Sequence, residues 1–549
     1  MSIDRHHIYV ARPHLNLALN VLHIHPSLKI TFIGNIDNDA KCKAELSRHG
    51  SYKDRLDLQL LGNVMGEGSS WDKSFKAEEI IAIQYEVIYR NLLKGEKATE
   101  ASEVVPVKPS LVMVDSTSLS WGAGVKAKVE KELGIERVKL FGFHSSPGLC
   151  TAYLFGCGEG MIPWSDIAKE SKENGQRSID VFYKVYLCSI EKMVERSSSH
   201  SIVVGTGCGD ALPWHPSALY VVVLALPSYP EATVQTVTIV VRLDRYEFDP
   251  QQIWKKLPDI AKPGLQINDF REEIDGMVIA WPGELEPESE QVWLKNMSRK
   301  GAVYLPVGPQ LPPGYWDGSE MKAEDEYIKG KSAGEVEAYL DKCLDEFGEK
   351  SVLNVSWGTH LFPNDITQVL AIFELLSTLS PPMPFLFSCP NAKIPAEVAT
   401  LIEKCGSRGM SSEWVPQQSV LRHKAIGWAL THGGANSTSE CIINSIPLIV
   451  WPISGDQPWT AALLSLIFKA GFEVTQIRTG YNVGRPIYRG GKVEGTKEAI
   501  RAELDEIFEK VRGEDGERVR KGMERLHEVV VTSRKEGQSA KSMSYLGSV

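Results

Sequence analysis

Trp414-Val-Pro-Gln417, His423, Thr431-His-Gly-Gly-Ala-Asn-Ser437, Glu440, Pro447, Trp451-Pro452 and Asp456-Gln457 follow one another, in that order, between Trp414 and Gln457. Ile426 to Thr431 reads as a strand, Gly433 and Gly434 allow close backbone approach, and Asn436 opens a helix. A helix N-terminus that follows glycines is an anion site, because free N–H groups and the helix dipole both favour negative charge. His432, Asn436 and Ser437 add side-chain donors there. Glu440, one turn further on, can accept a pair of hydrogen bonds from a vicinal diol. Trp414 offers a flat face, and Asp456-Gln457 follows the next strand with groups suited to hydroxyls. Singly, these are a turn, a core residue and a helix cap. Together, at strand ends within one α/β block, they read as one binding site.

Working outward, a second alternating block begins at Val352-Leu-Asn-Val-Ser356 and continues with strands near Phe385 to Ser388, Ile426 to Thr431 and Leu448 to Trp451. The tail from Lys497 to Lys535 is charged and helical in pattern. Tyr304 to Trp316 is rich in Pro and Gly, and polar residues follow to Gly334, as an inter-domain linker reads. N-terminal to it lies another alternating block. Strands are expected at His7 to Val10, Lys29 to Ile33, Leu56 to Leu61, Leu111 to Val114 and Lys139 to Phe143, with helices around Leu15 to Leu22 and Ala77 to Leu93. The expected organisation is therefore an N-terminal lobe over 1–315, a linker over 316–334 and a C-terminal lobe over 335–549. Residues 197–245 break the rhythm: from Ser197 to Val241 the charged residues are Asp210 and Glu231 alone. That stretch is either a variable insertion or sequence from a misassigned exon boundary.

Composition narrows the class. The chain has 549 residues, 43% apolar and 24% charged, which suits a multi-domain globular protein. Lys+Arg 60 against Asp+Glu 70 gives a net charge of −10, which argues against nucleic acid or an anionic membrane as the main partner. Nine cysteines without a C-x-x-C pair argue against a disulfide framework or structural zinc. Ala218 to Leu226, the most apolar run, is too short for a spanning helix, and no signal peptide is visible. A cytosolic location without a transmembrane segment is expected.

The segment from Trp414 to Gln457 resembles the C-terminal signature of family 1 UDP-glycosyltransferases, in plant and fungal forms, without a gap. The resemblance implies the GT-B fold, an α/β architecture of two Rossmann-like lobes facing across a cleft. It implies inverting, metal-independent transfer of a hexose from a UDP-sugar to a hydroxyl of a small lipophilic acceptor. No cofactor is implied, since the UDP-sugar is a co-substrate. By position, Trp414 resembles the uracil-stacking tryptophan, and Gln417 and Glu440 the ribose contacts. His432, Asn436 and Ser437 resemble the diphosphate contacts, and Asp456 and Gln457 the donor-sugar contacts. Thr359, in Val355-Ser-Trp-Gly-Thr359, looks like a further phosphate contact. Gln457 implies UDP-glucose, while Ala435 stands where plant members usually carry tryptophan.

In the N-terminal lobe, Val112-Met-Val-Asp115 followed by Trp121-Gly-Ala resembles the strand whose aspartate orients the family's catalytic histidine. The histidine itself is displaced. The Gly-His-x-Arg-Pro of fungal members is here Tyr9-Val-Ala-Arg-Pro13, so that either Val10 takes the base position or a few loop residues are missing. An aliphatic side chain takes no proton, so either catalysis is impaired or His14, brought near Asp115 by a loop shift, substitutes. His6 and His7 would enter the strand from the end opposite the cleft. A rival reading is a nucleotide-sugar-binding protein of the same fold without turnover. Asp37-Asn-Asp39 has the spacing of a metal-binding pair but reads as a turn, and Gly205-Thr-Gly-Cys-Gly209 does not fit a dinucleotide loop.

Overall fold

The computed structural model describes residues 8–35, 39–49, 54–61, 71–115, 119–148, 218–224, 238–244, 271–317, 331–358, 362–389, 394–487 and 491–549, with positions 52, 150, 169, 173, 250 and 251. The C-terminal lobe is built on six strands: β9 (Val352–Ser356), β10 (Phe385–Ser388), β11 (Gly409–Ser412), β12 (Ile426–Thr431), β13 (Leu448–Val450) and β14 (Gly471–Glu473). All neighbours are parallel, in the order β11-β10-β9-β12-β13-β14. Relative to chain order this is 3-2-1-4-5-6, the doubly wound arrangement, in which a crevice opens where the order reverses, here between β9 and β12. Every residue of β9, β10, β12 and β13 is buried, as parallel strands covered by helices on both faces require. The helix Ala333–Phe347 enters through a capping box, Ser332 with Glu335.

The N-terminal lobe carries β1 (Ile30–Asn35) and β2 (Leu56–Leu61) as one parallel pair. A separate four-stranded parallel sheet runs in the order β3 (Leu111–Asp115), β4 (Lys139–His144), β7 (Gly276–Ile279) and β8 (Val303–Pro306). Within the span 197–245, β5 (Ala218–Leu224) and β6 (Thr238–Asp244) form an antiparallel ribbon, and the rest lies outside the described residues.

The strand expected at His7–Val10 does not form. Ile8 instead begins a helix that continues through Pro13 to Ile24, and His6 and His7 lie outside the described residues. The physical reason is that a strand finds its hydrogen bonds only in a neighbour, whereas a helix already nucleated finds them within itself. The nucleus is strongly anchored. Leu17 and Val21 pack with Phe141, Phe143 and Val278, while Leu15 and Leu19 pack with Phe32, Leu58 and Leu60. The helix therefore spans both N-terminal sheets. Among the described residues no strand joins β1 to β3, so the sheet is interrupted where the expected first strand would lie.

The chain ends with three helices, Lys497–Arg512, Glu514–Lys535 and Gln538–Leu546. The last returns to the N-terminal lobe, where Met543 and Leu546 share a core with Leu17 and Val21. Among the described residues no helix is long and apolar enough to cross a membrane.

Candidate active site

The loops that follow β9 and β12 meet at the crevice between these two strands. Gly358, just past β9, has φ +73, and a Cβ there would lie 2.6 Å from the His432 ring, so the loops after the two strands touch. Thr359, the next residue, lies outside the described residues. Gly433 has φ +81, and its missing Cβ leaves room for Val450. Only glycine suits such a turn. It delivers the chain to the helix Ala435–Ile443, whose N-cap, Gly434, offers no side-chain acceptor. The first N–H of the helix, that of Ala435, donates to the Asp456 side chain instead, with Asn436 and Ser437 half-buried beside it. His432 is buried, and burial pushes its pKa down to about 4. At neutral pH it is an uncharged ring, with Nδ1 3.2 Å from Thr431 Oγ1.

Glu440 is buried one turn into that helix. Gln417 Nε2 donates to its Oε2 at 2.5 Å, and Gln418 Nε2 donates to its Oε1 at 3.2 Å. Both carboxylate oxygens are thereby held in place as acceptors. Trp414 is half-buried just after β11. Gln457 is buried, and its Oε1 accepts from the backbone N–H groups of Ile453 and Ser454 at 2.8 and 3.0 Å, bracing the loop after β13.

Asp456 is where the lobes meet. Its Oδ2 accepts from the Ala435 N–H at 3.2 Å and from Ser146 Oγ, in the loop after β4, at 3.0 Å. Burial raises the pKa of its carboxyl, and the two hydrogen bonds oppose that rise. A second cross-lobe bond runs from Trp459 Nε1 to Glu286 Oε1 at 3.2 Å.

In the N-terminal lobe, Asp115 ends β3 and His14 projects from the N-terminal helix, with Nε2 3.7 Å from Asp115 Oδ2. Each side chain is 14% exposed. The His14 and Phe143 ring centroids are 3.9 Å apart. No loop shift is needed: the helix that replaces the expected strand brings His14 to Asp115 directly. His144, at the end of β4, is neutral at pH 7, since burial pushes it down to about 4 against the pull of Asp115. Sequence reasoning missed Ser146, His144 and Arg48, whose Nη2 donates to Gln418 Oε1 in the opposite lobe. The first two could have been found by inspecting the C-terminal ends of all N-terminal strands.

The family profile described as "UDP-glucoronosyl and UDP-glucosyl transferase" matches residues 328–475. Residues 328–475 thus form a domain similar to that of the UDP-glycosyltransferases. Among its curated relatives, UDP-glycosyltransferase eriJ of Hericium erinaceus is 29% identical over 295 residues, covering 52% of this chain and 54% of the relative. UDP-glycosyltransferase 75B2 of Arabidopsis thaliana is 34% identical over 216 residues, covering 37% of this chain and 45% of the relative. The chain thus spans about half the length of the curated relatives it matches. The crystal structure of Os79 from O. sativa in complex with UDP aligns with TM-score 0.59 at 18% identity, covering 98% of this chain and 97% of that one. The structure of Glycyrrhiza uralensis UGT73P12 complexed with glycyrrhetinic acid 3-O-monoglucuronide aligns with TM-score 0.63 at 18% identity, covering 98% and 93%. The fold of the chain is thereby GT-B, as the resemblance implied.

Proposed function

We propose that this chain transfers a hexose, glucose by preference, from a UDP-sugar to a hydroxyl of a small lipophilic acceptor, with inversion and without a metal or other cofactor. The observation that carries the reading is the pairing of His14 with Asp115 in the N-terminal lobe, whose Ser146 donates to Asp456 beside the Ala435–Ile443 helix. In the proposed reaction the acceptor hydroxyl gives its proton to His14, and its oxygen bonds to the anomeric carbon. The bond from that carbon to the diphosphate breaks, and UDP leaves with the electron pair. Asp115 orients the imidazole and stabilises the imidazolium. The helix N-terminus, His432, Asn436, Ser437 and Thr359 would stabilise the leaving diphosphate. Trp414, Gln417 and Glu440 would hold the uridine, and Asp456 and Gln457 the sugar.

Support for the donor class comes from the relatives' names and from the UDP in the Os79 structure. Glucose rests on Gln457 alone. A protein that binds nucleotide sugars without turnover is not favoured, since the matched relatives are named as transferases and His14 supplies a base beside Asp115. The test is product detection by mass spectrometry after incubation with several UDP-sugars and a panel of aglycones, followed by assignment of the anomeric linkage. A β-linked hexoside from an α-linked donor is expected. Donor binding with no product from any acceptor would overturn the reading.

A further inference from the structure

We propose that Gln251 is a positioning residue of the donor site, a peg that fixes the loops after β9, β13 and β14 against one another. The inference deepens the reading above and rests on its assignment of Thr359 to the diphosphate and of Asp456 and Gln457 to the sugar. Gln251 lies between β6 and β7 in the chain, yet it is 2% exposed and its partners belong to the C-terminal lobe. Its backbone N–H donates to the Ile453 carbonyl, in the loop after β13, at 3.3 Å. Its Oε1 accepts from the backbone N–H of Asn364, between β9 and the helix Ile366–Thr378, at 3.0 Å. Its Nε2 donates to the Ile477 carbonyl, past β14, at 3.2 Å and to Gln368 Oε1, in the helix Ile366–Thr378, at 3.0 Å. The Gln251 carbonyl accepts from Asn364 Nδ2 at 3.0 Å, and the Pro250 carbonyl accepts from the Thr479 N–H at 2.8 Å.

The amide of Gln251 has one workable orientation. Asn364 presents a backbone donor and Ile477 a backbone acceptor, so Oε1 must face the first and Nε2 the second. A carboxylate here would set an acceptor against the Ile477 carbonyl, and an apolar side chain would withdraw a partner from both backbone groups. The loops also have bonds of their own. Gln457 Oε1 holds the Ile453 and Ser454 N–H groups, and Glu503 Oε2 holds those of Thr475 and Gln476 at 2.9 and 2.8 Å. Those bonds tie each loop to its own surroundings, whereas Gln251 ties one loop to the next. The consequence falls on the donor. Ile453, three residues before Asp456, has its N–H held by Gln457 and its carbonyl by Gln251. The loop after β9 meets His432 at Gly358, the residue before Thr359. Gln251 thus sets the spacing between the groups assigned to the diphosphate and those assigned to the sugar. Its bonds given above do not include Trp414, Gln417 or Glu440, the residues assigned to the uridine.

The experiment compares calorimetric binding of UMP and of UDP-glucose, without acceptor, to the full chain and to Gln251→Met, Gln251→Glu and Asn364→Ala. The wild-type chain should bind UDP-glucose about tenfold or more tighter than UMP, the scale of hydrogen bonds to a charged group. In Gln251→Met and Gln251→Glu, UMP should be held nearly as before, while the advantage of UDP-glucose shrinks about tenfold. Asn364→Ala removes the bond to the Gln251 carbonyl and leaves the Gln251 side chain in place. It should reduce the advantage about threefold, and it decides the question if both Gln251 variants fail to fold. Equal weakening of the two ligands in the folded variants, or no change in either, would overturn the positioning role and leave the donor-site assignments standing. No advantage of UDP-glucose over UMP in the wild-type chain would overturn the assignments of Thr359, Asp456 and Gln457, and the role of Gln251 with them.

Discussion

Removing one hydroxyl, by Ser146→Ala, should loosen the two lobes in a way that depends on the charge of Asp456. The bond from Ser146 Oγ to Asp456 Oδ2 is 3.0 Å long and joins residues 310 positions apart, one in each lobe. A hydrogen bond to a charged, buried acceptor contributes about 1.5–3 kcal/mol, against about 1 for a neutral pair. The Ala435 N–H remains as the other donor, so the carboxylate is not stranded by the substitution. Where Asp456 is ionised, the expected loss is thus about 1.5–3 kcal/mol. Burial raises the pKa of Asp456, and the serine opposes that rise by favouring the ionised form. The contribution of Ser146 is therefore full where Asp456 is ionised, and it fades as the pH falls through the raised pKa of the folded state. Asp456→Asn removes the charge at every pH. In that background Ser146→Ala should cost only about 1 kcal/mol or less. Denaturant unfolding of the four chains of this double-mutant cycle, at pH 7 and in acid, gives the coupling. Equal losses in the two backgrounds at every pH would refute the reasoning.

Other expected outcomes are as direct. Glu440→Ala should weaken UDP binding by about 1.5–3 kcal/mol, read by calorimetry, and an unchanged affinity would place the ribose elsewhere. Pro13 lies inside the helix Ile8–Ile24, where a proline costs about 3 kcal/mol, so Pro13→Ala should raise the melting temperature. No stabilisation would mean that the helix starts at Pro13, where proline costs nothing. In a donor competition UDP-glucose should outrank UDP-galactose and UDP-N-acetylglucosamine, and the reverse order would remove the argument from Gln457.

The C-terminal lobe was the legible half. The ranges read for β9, β10 and β12 match the observed strands at both ends, because a strand buried on both faces is a short apolar run with clear stops. Its site is also local, since His432 to Ser437 and Glu440 occupy one strand–turn–helix unit. The first N-terminal strand was misread because Ile8-Tyr-Val10 has strand-forming side chains, while its fate depends on a helix anchored by Leu15 to Leu22 farther along. Contacts across the cleft were illegible for a different reason. Arg48 with Gln418 and Ser146 with Asp456 are set by how two lobes dock, and no periodicity or spacing within either lobe encodes that. His14 illustrates both difficulties, since its approach to Asp115 follows from the helix that the sequence reading replaced by a strand.

The central claim is that His14, held beside Asp115, is the base of a glycosyl transfer whose donor sits on the opposite lobe. It is tested most directly by measuring, in one preparation, turnover of the preferred UDP-sugar and affinity for UDP in the chain and in His14→Ala. The account predicts that the substitution lowers kcat by about 10²–10⁴-fold, or about 3–5 kcal/mol of barrier, and leaves the UDP affinity unchanged. Undiminished turnover in His14→Ala, or loss of UDP binding in step with activity, would contradict it.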